Sequence, residues 1–196
     1  LSDLRKKIIT KFKKDLLKQL DELNMKNVSF EIGHDILEYP TENGIDKIEF
    51  LISTNVGEPL KKLSKIVSGG EMSRIMLAFK SILAETDNIS TMIFDEIDTG
   101  ISGRTAQVVG EKITNISRNH QILCITHLPQ IAAMSDTHFL ITKETNNKNT
   151  KTLIKKLNNK EKVDELSRLL GGVNLTNTTR MHAKEMIEMS KKAKKN

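Results

Sequence analysis

Ser90-Thr-Met-Ile-Phe-Asp-Glu-Ile-Asp-Thr-Gly100 is the stretch whose reading decides the fold of this chain. A short apolar run, Met92 to Phe94, ends abruptly in Asp95 and Glu96, and Asp98 follows. Gly100 and Gly103 loosen the backbone just after. Four to eight apolar residues bounded by turn signals suit a buried strand. Adjacent carboxylates at the exit of such a strand are expensive to bury unless something uses them. In open α/β sheets, ligands gather at the carboxyl ends of the strands. Two readings follow: Asp95 and Glu96 face a metal and a phosphate, or the strand ends in a solvated acidic turn.

The neighbouring segments favour a sheet flanked by helices. Upstream, Ser68-Gly-Gly-Glu71 opens a helix. Ser68 stands at the cap, Glu71 has capping-box spacing, and Met72, Ile75, Met76, Phe79 and Leu83 form the inward stripe. The first-turn backbone N–H groups and the helix dipole suit an anion; the alternative is a capped helix with a flexible lead-in. Downstream, residues 104–117 read as a helix, and Gln121 to Thr126 as a second buried strand ending in His127. Leu128 to Met134 suits a short helix with Pro129 in its first turn. Strand and helix thus alternate between residues 71 and 135, the pattern of an α/β sheet that is mainly parallel there.

Outside this centre, residues 1–24 read as a helix with Leu1, Leu4, Ile8, Phe12, Leu16, Leu20 and Leu23 in a narrow stripe. It is either the end of a longer coiled-coil helix or an amphipathic helix packed on its own domain. Val28 to Ile32 and Ile45 to Thr54 alternate as antiparallel strands, with a turn-rich stretch from Gly33 to Gly44 between them. Residues 55–65 read as a loop with solvated lysines. Thr137 to Lys143 and Thr150 to Leu157 form a hairpin around Asn146-Asn147-Lys148-Asn149. Glu161 to Leu170 is a helix stopped by Gly171-Gly172. Residues 176–195 form a last helix, with Met181, Met186 and Met189 as its expected buried contacts. The expected division is residues 1–27 as a coiled-coil end and 28–196 as the lobe that carries the site.

Composition narrows the class. Hydrophobic residues are 37% and charged residues 29% of 196, which is globular. With six Phe, one Tyr and no Trp, aromatic platforms for stacking bases are not in prospect. The lone Cys124 excludes an internal disulfide. Neither a signal peptide nor an apolar run of membrane-spanning length is visible, so a cytoplasmic setting without a membrane partner is expected. The net charge of +6 lies at the two ends: residues 1–27 carry eight Lys/Arg against four Asp/Glu, and residues 184–196 carry five against two. Such ends attract nucleic acid or are solvated helix faces.

Taken together, the spacing of these signals resembles the carboxyl half of an ABC-type ATPase head. Ser68-Gly-Gly-Glu-Met-Ser-Arg74 is similar to the ABC signature and Thr91-Met-Ile-Phe-Asp-Glu96 to Walker B. Asp98 sits where a D-loop would be, and His127 where a switch histidine would be. With Gly57-Glu-Pro-Leu60, Cys124-Ile-Thr-His-Leu-Pro-Gln-Ile-Ala-Ala133 and Leu169-Leu-Gly-Gly172, the resemblance narrows to the bacterial RecN family of SMC-like DNA-repair ATPases. It implies that Asp95 holds Mg²⁺, that Glu96 activates the attacking water and that His127 contacts the γ-phosphate of ATP. It also implies that Ser68, Gly69, Gly70 and Glu71 meet nucleotide held by a second head, with Asp98 acting across that contact. Arg74 would support the signature helix or approach the ribose.

One part of the pattern is missing. No Gly-x-x-x-x-Gly-Lys-Ser/Thr occurs, and Gly100-Ile-Ser-Gly-Arg-Thr105 has the wrong spacing and no Lys. The resemblance therefore implies one lobe of a head, whose phosphate-cradling amino-terminal lobe lies upstream or on another chain, and which does not hydrolyse ATP by itself. The implied partners are DNA and a second copy of the head, at the nucleoid. A DNA-bridging or assembly module governed by ATP binding is the alternative, as is the head of another SMC-like ATPase. Cys124-x-x-His127 reads as a buried thiol beside a histidine rather than a metal pair.

Overall fold

The computed structural model describes residues 1–66, 68–84, 86, 88–146, 149–172 and 175–194. Val67 and the Asn147-Lys148 centre of the expected turn lie outside them. The chain forms two compact units, Leu1–Gly100 with Ile116–Ile125, and Ile101–Asn115 with Thr126–Asn196.

In the first unit, helix α1 (Ser2–Glu22) stops at Leu23, and Asn24 turns left-handed with φ 61°. Leu16, Leu20 and Leu23 are fully buried, whereas Leu1, Leu4 and Ile8 are 60–72% exposed. The apolar stripe is covered over its second half only. Strands β1 (Ser29–Thr41) and β2 (Gly44–Ser53) pair antiparallel from Ser29 opposite Ser53 to Thr41 opposite Gly44. This corrects the turn-rich reading of Gly33 to Gly44. The strand runs on through Gly33, which pairs with Glu49, and the register breaks only between Ile36 and Thr41, where Pro40 has no N–H to give. A two-residue edge strand, β3 (Lys61–Lys62), pairs with Leu51 and Ile52, so those lysines are not loop residues. Lys62 is ion-paired with Glu49.

Four of the six phenylalanines join α1, β1, β2 and helix α2 (Gly69–Leu83). The ring centroids of Phe12 and Phe79 are 5.5 Å apart, those of Phe50 and Phe79 5.4 Å, and those of Phe30 and Phe50 5.8 Å. At the other end of α1, the buried Asp46 carboxylate accepts from Ser2 Oγ at 2.5 Å, His34 Nε2 at 2.6 Å and Arg5 Nη1 at 2.7 Å. These hydrogen bonds, the one from Ser2 foremost, hold its pKa well below the usual carboxylate range.

Strands β4 (Thr91–Phe94) and β5 (Gln121–Cys124) pair parallel, Thr91 opposite Gln121 through Phe94 opposite Cys124. They are joined in sequence by helix α3 (Gly103–Ile116). Met92 and Phe94 are buried, but Ile93 is 70% and Ile125 51% exposed. Parallel strands are ordinarily covered on both faces, and this pair is covered on one. His120 pins the strand pair to the end of α2: its ring nitrogens lie 2.6 Å from the Ile89 carbonyl and 3.0 Å from that of Ala84.

The second unit contains most of α3, the short helix α4 (Pro129–Ala133), the hairpin β6 (Phe139–Asn146) and β7 (Asn149–Lys156), and helices α5 (Asn159–Gly171) and α6 (Asn177–Ala193). Capping boxes at Asn158–Glu161 and Thr176–Thr179 start the last two helices. Its core contains Ala132, Ala133, Leu166 and Ala183, with Leu169, Leu170, Met186 and Ile187 packed against them. Met181 and Met189, expected inside, are 65% and 63% exposed. The inward face of α6 carries the small residues Ala183 and Ser190 instead, Ala183 packing in the core with Leu166 of α5. A Cβ on Gly171 would lie 2.7 Å from Thr179 Cγ2, and Gly172 leaves the helix at φ 76°. Leu169-Leu-Gly-Gly172 thus packs a core, admits a neighbouring helix and ends its own.

Among the described residues, no helix is long and apolar enough to cross a membrane. Replacing Leu20 by Ala should lower the unfolding free energy by about 2–5 kcal/mol in urea titrations. Leu4→Ala, at the exposed end of the same stripe, should change it by less than about 0.5 kcal/mol.

Candidate functional site

Within the first unit, the start of α2 and the loop after β4 lie directly against each other. Ser68 caps α2, its Oγ accepting from the Glu71 N–H at 3.5 Å. The next two residues have no side chains, and the loop uses that space. A Cβ on Gly69 would sit 2.2 Å from Glu96 Oε2; one on Gly70 would sit 3.0 Å from both the Glu96 carbonyl oxygen and Thr99 Cβ. The structure therefore brings Gly69 and Gly70 against Glu96 within one chain.

The loop has its own reason to be so shaped. Glu96 adopts φ 55°, a left-handed conformation that costs a residue other than glycine about 1–3 kcal/mol. Asp95 Oδ1 accepts the Glu96 N–H at 2.8 Å, and the Thr99 N–H returns to the Glu96 carbonyl at 3.0 Å. These bonds close a tight turn that leaves the Asp95 and Glu96 side chains exposed. Asp98 is 4% exposed, on the inner side of the same loop.

Two residues of α2, neither assigned a firm role from sequence, hold the loop. Ser73 Oγ donates to the Asp95 carbonyl at 2.7 Å. The Arg74 guanidinium donates through Nη1 to the Thr99 carbonyl at 2.7 Å and, less closely, to that of Ile97 at 3.4 Å. Arg74 is 8% exposed, and burial lowers its basicity while the Glu71 charge opposes that shift. Hydrogen bonds to a charged group are worth about 1.5–3 kcal/mol each. Of the two roles read for Arg74, support of the helix is the one these bonds display. No sequence signal announced this: Arg74 lies off the stripe of Met72, Ile75, Met76, Phe79 and Leu83, and its acceptors are backbone carbonyls, which no residue type announces.

His127 belongs to the second unit. It is exposed, in the turn where the Leu128 N–H bonds to Thr126 Oγ1 at 3.1 Å ahead of α4. Cys124 stays with the first unit. Burial, then the charges of Asp98 and Asp95, push its thiol up to about 12. A thiol so protonated is a poor metal ligand and a poor nucleophile.

The chemistry on offer is that of an anion and a hard cation. The start of α2 presents backbone donors and the positive end of the helix dipole. Asp95 has one oxygen engaged by the Glu96 N–H. Among the described residues, no group of three or more His, Cys, Asp and Glu could hold a metal. A divalent ion at Asp95 would thus take one or two carboxylates and complete its shell from phosphate oxygens and water, as Mg²⁺ does.

Comparison with known proteins decides between families that use such a loop. The chain is 45% identical over its whole length to the DNA repair protein RecN of Halalkalibacterium halodurans, and 54% identical over 79% of its length to that of Bacillus subtilis. The chain belongs to the RecN family. It spans only 35% and 27% of the length of these two RecN relatives. Among solved structures, an Smc head domain with a coiled coil and joint derived from Pyrococcus yayanosii superposes with a TM-score of 0.52 at 22% identity, covering 80% of this chain and 28% of that one. The α/β fold is accordingly that of part of an Smc-like head domain. No family model matches the chain.

Alkylation offers a check on the strand end. In the folded chain, Cys124 should react with iodoacetamide at pH 8 at least about 100-fold more slowly than a free thiol. The rate should climb as pH rises towards 12, and unfolding in urea should abolish the protection. Ready labelling of the folded chain at pH 8 would contradict the half-buried, anion-flanked thiol.

Proposed function

We propose that this chain is the lobe of a RecN-family head that supplies the hydrolytic carboxylates and the signature helix, and that the whole protein is an SMC-like ATPase acting in recombinational repair of DNA double-strand breaks. The observation that carries this reading is the packing of Glu96 on Gly69 and Gly70. In this reading Asp95 holds Mg²⁺ directly or through water, and the ion, when bound, neutralises developing charge on the phosphate oxygens. Glu96 orients the attacking water and accepts its proton. Phosphoryl transfer otherwise asks the protein mainly for positioning and electrostatic stabilisation. His127 contacts the γ-phosphate. Ser68, Gly69, Gly70 and Glu71 meet the nucleotide of a second head, with Asp98 at the same dimer contact, so that each chain serves two nucleotides.

The incomplete surfaces support the remaining parts of the reading. The bare face of β4 and β5, with Ile93, Leu123 and Ile125 exposed, suits cover by the amino-terminal lobe that cradles the phosphates. Exposed Leu1, Leu4 and Ile8 on α1 suit a helix that continues into a coiled coil, with residues 1–27 as its end and 28–196 as the lobe. DNA is the proposed macromolecular partner and the nucleoid the proposed setting.

In the full-length protein, Glu96→Gln should lower kcat for ATP hydrolysis by about 10²- to 10⁴-fold, the usual worth of a general base. ATP binding, read by a fluorescent analogue, should persist. Unchanged turnover in that variant would remove Glu96 from the chemistry. Wild-type full-length protein that binds DNA under ATP control with no turnover at all would favour a bridging module.

A further inference from the structure

The corner has two ends, the start of α2 and the acidic loop, and a join between them. The join is made by a single buried side chain with a polar neighbour. Arg74 lies 8% exposed, with Nη1 2.7 Å from the Thr99 carbonyl and 3.4 Å from that of Ile97. The ideal Cβ position on Gly70 lies 3.4 Å from that same Nη1, so the guanidinium is wedged between the first turn of α2 and the loop. Ser73, one residue earlier, donates to the Asp95 carbonyl. Between them, Ser73 and Arg74 hold the loop by three carbonyls, those of Asp95, Ile97 and Thr99, which bracket Glu96 and Asp98.

We infer that Arg74 is the positioning residue for the acidic loop: its buried guanidinium locks residues 97–99 to α2, so that the signature turn and Glu96 move as one body. The geometry explains why a charged side chain is buried on the same helix as Ile75, Leu77 and Ala78. The loop presents carbonyl oxygens on the side facing α2, and a planar guanidinium with several N–H groups can bond two of them at once, which a Lys point charge matches less well. It also explains how Glu96 keeps a left-handed backbone, since the loop is fastened on both sides of it. This inference rests on the proposed reading only for its consequence. If the signature turn meets one nucleotide and Glu96 another, a rigid link between them passes a displacement at one site to the other.

The test has two arms, so that failure of the link and failure of the ATPase reading can be told apart. In the 196-residue chain, amide hydrogen exchange is followed in wild type, Arg74→Ala and Arg74→Lys. The account expects exchange of the amides from Ile97 to Gly100 to rise about tenfold or more in Arg74→Ala, less in Arg74→Lys, with Ile75 to Phe79 and β4 still protected. Unchanged exchange from Ile97 to Gly100 in a folded Arg74→Ala chain overturns the inference. Should that variant fail to fold, Arg74→Lys decides by the same criterion: local loss of protection supports the link, and full protection overturns it. In the full-length protein, Arg74→Ala should lower kcat about tenfold or more while KM for ATP stays within about twofold, because a misplaced base slows chemistry and leaves nucleotide binding alone. A raised KM with unchanged kcat would place Arg74 at the nucleotide instead. Loss of loop protection in protein that shows no ATP turnover even as wild type would leave the link standing and refute the ATPase reading.

Discussion

Two adjacent residues without side chains set the arrangement on which the rest depends. Because Gly69 and Gly70 open α2, the loop from Asp95 to Thr99 can lie on the first helical turn with Glu96 Oε2 where a Cβ would otherwise be. Close approach alone would leave a strained loop, since Glu96 has a left-handed backbone. Asp95 caps the Glu96 N–H, the Thr99 N–H closes the turn, and Ser73 and Arg74 take up the carbonyls that face the helix. The aromatic cluster of Phe12, Phe30, Phe50 and Phe79 and the His120 bridge then fix α2 and β4 from behind. A strand ending in two carboxylates thus becomes a corner that presents a helix start and exposed carboxylates together.

The molecule's bare surfaces follow from the same layout. A parallel pair covered on one face, and a helix whose stripe is buried at Leu16 to Leu23 but open at Leu1 to Ile8, leave apolar area that water does not favour. The chain spans 35% and 27% of the length of the two RecN relatives. The proposed amino-terminal lobe and coiled coil account for both faces without asking anything further of the second unit. That unit is self-consistent, with its own capping boxes and a core built where Gly171 lets α6 approach α5.

What the sequence made legible divides along physical lines. Helix α2, the β4–α3–β5 succession and the capped α5 could be read because periodicity, caps and turn glycines act locally. The true length of β1 could not. Gly33, Pro40 and Asn43-Gly44 look like one long turn, whereas only the last pair is at the turn and Gly33 lies in the ladder opposite Glu49. On α6, two stripes fit a 3.6 period. Volume pointed to Met181 and Met189, but the face that packs inward carries Ala183, against Leu166 of α5, and Ser190. In the site, the carboxylates and glycines announced themselves by type, as did Ser68. The clamp did not, since its acceptors are the main-chain oxygens of Asp95, Ile97 and Thr99.

The central claim is that the two ends of this corner serve different nucleotides in a pair of heads, even though they touch within one chain. Complementation tests it most directly. Full-length Ser68→Arg and Glu96→Gln proteins should each be inactive in ATP hydrolysis as homodimers, since every site lacks either a signature or a base. Mixed and allowed to exchange partners, they should regain turnover, because one site of each mixed pair combines an intact Ser68 with an intact Glu96. Absence of any recovery, with mixed pairs shown to form, would contradict the account and place Ser68 and Glu96 at the same nucleotide.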